Sequence, residues 1–171
     1  MKKTKAEIRT IDTWLTRMNV RNYTISDEGV VDVDGRCDVG PPFGSPNERV
    51  ISGSIPYQFG TVTGTFSCAL TELSLFDGVP KVVDGDFFCD QTKIKSLSGI
   101  EKHIQHIGGG FFCDDGVTNI LGLLLIEGLT HVNIDQNGPI DRVINKYLGT
   151  GDILSAQDEL IDAGCIEQAS L

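Results

Sequence analysis

Coils of short strand stacked on one another and closed by helix at both ends are the α+β architecture this sequence predicts, and three observations predict it. Gly64-Thr65-Phe66-Ser67-Cys68 returns as Gly85-Asp86-Phe87-Phe88-Cys89 and again as Gly109-Gly110-Phe111-Phe112-Cys113. A β-branched, strand-like piece precedes each copy, and a Leu or Ile pair with a turn glycine follows it. Helical periodicity is confined to the two ends of the chain.

The cysteines of the three copies recur at intervals of 21 and 24 residues. A period of about 20–29 residues with fixed apolar positions marks the leucine-rich class of solenoid. One such unit cannot bury its own apolar face and is stable only between neighbours. The expectation is therefore a short leucine-rich-repeat-like β-solenoid capped by an N-terminal helix and a C-terminal helical hairpin, in a single domain spanning 1–171. Phe and Cys two residues apart share a strand face. Phe66, Phe87 and Phe111 should form one inward column, and Cys68, Cys89 and Cys113 another. Thr65, Ser67, Asp86, Phe88, Gly110 and Phe112 should face outward. Adjacent strands lie about 4.8 Å apart, so outward Phe88 and Phe112 would make one apolar patch, the usual mark of a contact surface. The alternative is that a terminal segment covers them. Leu70, Leu73 and Leu75, then Ile94 and Leu97, then Ile120, Leu121 and Leu124 are expected to form a second inward row. Val31 to Val39 reads as a degenerate earlier copy without the Phe, and a full repeat begins near Ile55.

In chain order, Thr4 and Glu7 make a capping box for a helix over 4–18, with Ile8, Ile11, Leu15 and Met18 on one stripe and Trp14 at its edge. Tyr23–Ile25 and Val30–Val33 flank Ser26-Asp27-Glu28-Gly29 as a hairpin. The repeat stack spans 22–136. Gly40 to Asn47, with three prolines and two glycines, is a loop that interrupts it. Insertions of this kind emerge on one face of a repeat protein, often the binding face, which singles out Phe43 and the adjacent Arg49. Asp114 and Asp115 sit in a turn that lacks the ligand spacing of a calcium loop. After a last strand around His131, Pro139 opens a helix carrying Ile140, Val143, Ile144, Tyr147 and Leu148, and Asp152 caps a second that Gly164 stops. These two form a helical hairpin over 138–164.

Forty per cent hydrophobic and 22% charged residues describe a folded chain. A net charge of −10 argues against binding nucleic acid through its phosphates. No apolar run is long enough to span a membrane, and the first ten residues lack the apolar core of a signal peptide. The expected location is the cytoplasm, and five cysteines, an odd number, fit a reducing compartment. Cys89 or Cys113 beside His103 or His106 is the one nucleophile and base pairing to weigh, and the cysteines' core positions count against it. No Cys pair of zinc-ligand spacing and no phosphate loop exists, so no metal or cofactor is expected.

The pieces Asn22–Gly35, Ile55–Cys68 and Gly85–Cys89, with the tail Gly151–Gly164, resemble the short leucine-rich-repeat-like proteins encoded by large tailed bacteriophages. The resemblance covers most of the chain and has no catalytic residues to carry over. It departs from the family pattern at Gly40–Asn47 and around Val117–Leu125. It implies a phage accessory protein, acting in the host cytoplasm, that binds a host protein and inhibits or redirects it. Phe88, Phe112, Phe43, Arg49 and Asp86 are its candidate partner-binding residues. A second reading is an acidic decoy imitating nucleic acid, with Asp32, Asp34, Asp38, Asp84, Asp86, Asp90, Asp114 and Asp115 along one surface. A third is a cysteine-dependent enzyme. An exposed edge strand would also permit a homodimer.

Overall fold

A computed structural model describes residues 2–41 and 51–170 as a mixed α+β fold of short sheets and a few helices, with no closed barrel among the described residues. Phe43 and Arg49 lie outside the described residues.

Helix α1, Lys5–Arg17, starts at the capping box read from the sequence. The Glu7 carboxylate accepts from the Thr4 N–H at 2.8 Å, and Thr4 Oγ1 accepts from the Glu7 N–H at 3.3 Å. Ile11 and Leu15 are buried, and Trp14 meets the rings of Tyr57 and Phe59 edge-on, with centroids 5.5 and 6.4 Å away. Strands β1 (Tyr23–Ile25) and β2 (Val31–Val33) pair antiparallel as the expected hairpin.

Every later ladder is parallel. On one face β2 is followed by β5 (Phe59–Val62), β8 (Val82–Val83) and β10 (His106–Ile107). On a second face lie β3 (Cys37–Asp38), β6 (Phe66–Ser67), β9 (Phe87–Phe88), β11 (Gly110–Phe112) and β12 (His131–Asn133). A third ladder joins β4 (Ser52–Gly53) to β7 (Glu72–Leu73), and a Ser96–Thr118 bridge lies further along the chain. The chain thus crosses the first face, turns, and crosses the second once per repeat.

The turn between these faces explains its glycines. The Gly64 N–H donates to Gly35 O at 3.1 Å, Gly85 to Gly64 O at 3.2 Å, and Gly109 to Gly85 O at 3.0 Å. A Cβ on Gly64 would lie 2.7 Å from the Gly35 carbonyl carbon, and one on Gly85 2.9 Å from that of Gly64. Both obstacles are backbone, which cannot swing aside as a side chain does. Gly85→Ala should therefore lose about 1–3 kcal/mol of stability through overpacking, read as a lower urea midpoint at unchanged slope. An unchanged midpoint would mean that the corner has room.

Between the faces, Phe59, Phe66, Phe87 and Phe111 are fully buried and touch in series, with centroids 6.0, 5.2 and 5.6 Å apart. Cys37 pairs with Phe66, so in the first copy the thiol occupies the phenylalanine position.

Several expectations need correction. Ser67 and Gly110 keep their outward register, beside Phe88 and His131 respectively, yet both are buried. Leu70 and Leu75 are exposed, leaving Leu73 as the inward residue of that row. Leu70 adopts φ +61, a left-handed turn that ends the strand alternation. The Ser74 and Leu75 N–H groups both donate to Gly53 O, bending the backbone there. Ile120–Leu125 is a 3-10 helix, and a short α2, Ile100–His103, precedes β10.

Helices α3 (Pro139–Tyr147) and α4 (Ile153–Asp162) pack at the end where β12 lies. The Val132 N–H donates to Asn145 Oδ1 at 2.6 Å and Asn145 Nδ2 donates to Val132 O at 2.8 Å, while the Ile134 N–H donates to Asp141 Oδ1 at 2.7 Å. Side chains four apart on a helix rise about 6 Å, and groups two apart on a strand span about 6.6 Å. That match lets one helix face satisfy the outer edge of β12. Asp135 returns the contact by accepting from the Ile140 and Asp141 N–H groups at 2.9 and 3.0 Å. An edge occupied in this way no longer offers itself to a further strand.

Candidate binding face

The register of the second face sets its outward side chains in rows. The central row runs Asp38, Ser67, Phe88, Phe112 and Asn133 across β3, β6, β9, β11 and β12. Phe88 and Phe112 are half-buried and stack with centroids 4.4 Å apart and planes 11° from parallel. The ring of His131 meets Phe112 edge-on at 5.1 Å and 81°. A Cβ on Gly110 would run into the rings of His131 and Phe112, so a side chain there would require these rings to shift.

On one side of the rings, the register places Arg36, Thr65, Asp86, Gly110 and His131 in a row. Asp86 Oδ1 accepts from the Gly110 N–H at 2.8 Å, which leaves its other oxygen free of any hydrogen bond recorded among the described residues. The Arg36 guanidinium lies 3.4 Å from Asp38. On the other side, two residues past the strand ends, come Asp90, Asp114 and Asp135. A cleft of about 350 Å³ opens between them, lined also by Cys113 and Asn133. Partial burial raises the Asp90 carboxyl above its ordinary value, and the neighbouring charge of Asp114 adds to this. Asp114 accepts from the Gln91 N–H.

Of the residues singled out from the sequence, Phe88, Phe112 and Asp86 come together here. The carboxylates of the decoy reading do not share one surface. Asp32 and Asp34 belong to the first face and its corner, where Asp32 Oδ1 accepts from the Thr61 N–H at 2.7 Å and Asp34 Oδ1 accepts from the Thr63 hydroxyl at 2.9 Å. Asp38, Asp86, Asp90 and Asp114 lie on the second.

The cysteine and histidine pairing is not made. Cys68 Sγ donates to Phe88 O at 3.4 Å and Cys89 Sγ to Phe112 O at 3.3 Å, while the His103 ring lies against Phe76. Burial pushes the Cys37 thiol up to about 12 and raises those of Cys68 and Cys89 as well, away from the thiolate a nucleophile needs. Among the described residues no three His, Cys, Asp or Glu side chains are placed to hold a metal ion, and no helix is long and apolar enough to cross a membrane.

Sequence reading put Asp90 and Asp114 among the decoy carboxylates but missed Asp135, the row the three form, and the part played by His131. The signal was present: each carboxylate follows its coil's inward residue, Cys89, Cys113 or Ile134, by one position. Compared with protein-family models, with curated proteins and with solved structures, the chain matches none.

Proposed function

We propose that this chain is a non-catalytic protein-binding module, built as a short leucine-rich-repeat-like solenoid, whose contact surface is the outward aromatic pair of its second face. The observation that carries this reading is the stacking of Phe88 on Phe112 at register-equivalent positions of adjacent strands. Two partly exposed rings held rigid by their neighbours give apolar area at little entropic cost, which is what an interface anchor needs. The resemblance to phage-encoded repeat proteins supports a host protein as the partner, met in the host cytoplasm and inhibited or redirected there. The decoy reading draws on the net charge of −10, and the division of its carboxylates between two faces weighs against it.

The test immobilises the chain and its Phe88→Ala/Phe112→Ala variant, exposes both to bacterial host lysate, and quantifies retained proteins at low and high salt. The expected result is a protein retained at high salt by the wild type and depleted about tenfold or more on the variant, as for loss of an interface anchor. A protein released by salt alone and indifferent to the rings would favour the decoy.

A further inference from the structure

Resting on that reading, we infer that the segment seated on this face is basic and extended, with two Lys or Arg residues four positions apart flanking an apolar residue. The aromatic pair has carboxylates on both sides. Asp86 and Asp90 stand two residues before and two after Phe88, so about 13 Å separates them in extended chain with the ring midway. Asp114 stands beyond Phe112 in the same way. Among the described residues, Arg36 is the one Lys or Arg in these three rows, and Asp38 already occupies it. Among the described residues, the carboxylates around the rings therefore have no Lys or Arg partner on this face.

Asp90 and Asp114 each follow by two positions one of the paired residues Phe88 and Phe112 on adjacent strands. Like charges so placed are mutually destabilising, and the raised carboxyl of Asp90 reflects both its burial and this neighbour. A cation arriving between them relieves that repulsion, and an anion worsens it. Lys and Arg also suit the rings themselves, since their aliphatic stems lie along apolar surface while the charged head reaches past it. In an extended partner, residues i and i+4 are separated by the same distance as Asp86 and Asp90. Residue i+2 then falls on Phe88. The partner's pattern is thus basic, any, apolar, any, basic.

Fluorescence anisotropy of three labelled undecapeptides, alike except for a central Arg-Ser-Leu-Ser-Arg, Gln-Ser-Leu-Ser-Gln or Glu-Ser-Leu-Ser-Glu, tests this on the full chain. At about 150 mM salt, where long-range attraction is screened, the basic peptide should bind about tenfold tighter than the neutral one, and the acidic one weakest. Asp86→Asn/Asp90→Asn keeps the hydrogen-bond acceptors and should bring the basic peptide to the level of the neutral one. Asp158→Asn/Asp162→Asn removes equal charge from exposed positions on α4 and should change binding less than about twofold. Equal losses in both charge variants would overturn the inference, leaving only net-charge attraction. So would equal binding of the basic and neutral peptides, and if Phe88→Ala still abolished that binding, the contact-surface reading would survive. Binding of none of the three would also overturn it, and the lysate experiment judges that reading separately.

Discussion

Phe87→Ala is expected to lower the unfolding free energy by about 3–5 kcal/mol, the range for deleting a fully buried ring. Phe87 is the middle member of its column, 5.2 Å from the ring of Phe66 and 5.6 Å from that of Phe111. Both neighbours sit on strands hydrogen-bonded to β9, so neither can move in to fill the space without breaking a ladder. Phe88→Ala, one residue away on the same strand, removes a ring that is only partly buried and should cost less. Urea denaturation followed by tryptophan fluorescence compares the two. Equal losses would mean that the inward and outward positions are not distinct.

Alkaline pH is expected to destabilise the fold steeply, because its thiols are buried as neutral groups. An unfolded cysteine ionises near 9.0, whereas burial raises Cys37 to about 12 and holds Cys68 and Cys89 above the ordinary value too. Below 9.0 both states keep these protons and the stabilisation is complete. As pH rises past that value the unfolded state releases protons that the folded state retains, so stability falls by about 1.4 kcal/mol per pH unit for each thiol. For Cys37 the loss continues until about 12. Urea midpoints taken across this window read the slope, and Cys68→Ala should remove one thiol's share of it. A slope unaffected by that substitution would place the alkaline transition elsewhere, on lysine or tyrosine. The same burial predicts that thiol reagents label Cys68 and Cys89 only when denaturant is added.

What the sequence made legible was mostly local. The capping box at Thr4, the turn at Ser26–Gly29, Pro139 at the first helical position and Asp152 as a cap each act through residues within a few positions, and the helices begin where those residues place them. The outward pairing of Phe88 with Phe112 was legible because strand alternation and repeat spacing agree there. The first copy was harder, since aligning the cysteines puts Cys37 beside Cys68, whereas the structure puts it beside Phe66. The glycine sets the register: Gly35, Gly64, Gly85 and Gly109 each precede their inward residue by two positions. The contacts of Asn145 and Asp141 with the edge of β12 were not legible, because nothing in the spacing of α3 says which strand its polar side chains will meet. The exposure of Leu70 and Leu75 was hidden for a related reason. Backbone bends at those positions override an apolar residue type.

The glycine line has a consequence for how such a chain can change in length. Successive corner glycines are 29, 21 and 24 residues apart, yet each still precedes its inward residue by two. Additions and deletions are thus absorbed on the far side of each circuit, and the spine neither lengthens nor shifts. A foreign peptide spliced into that far side should leave the paired rings where they are, whereas one extra residue between Gly85 and Phe87 would turn every side chain of that strand inside out.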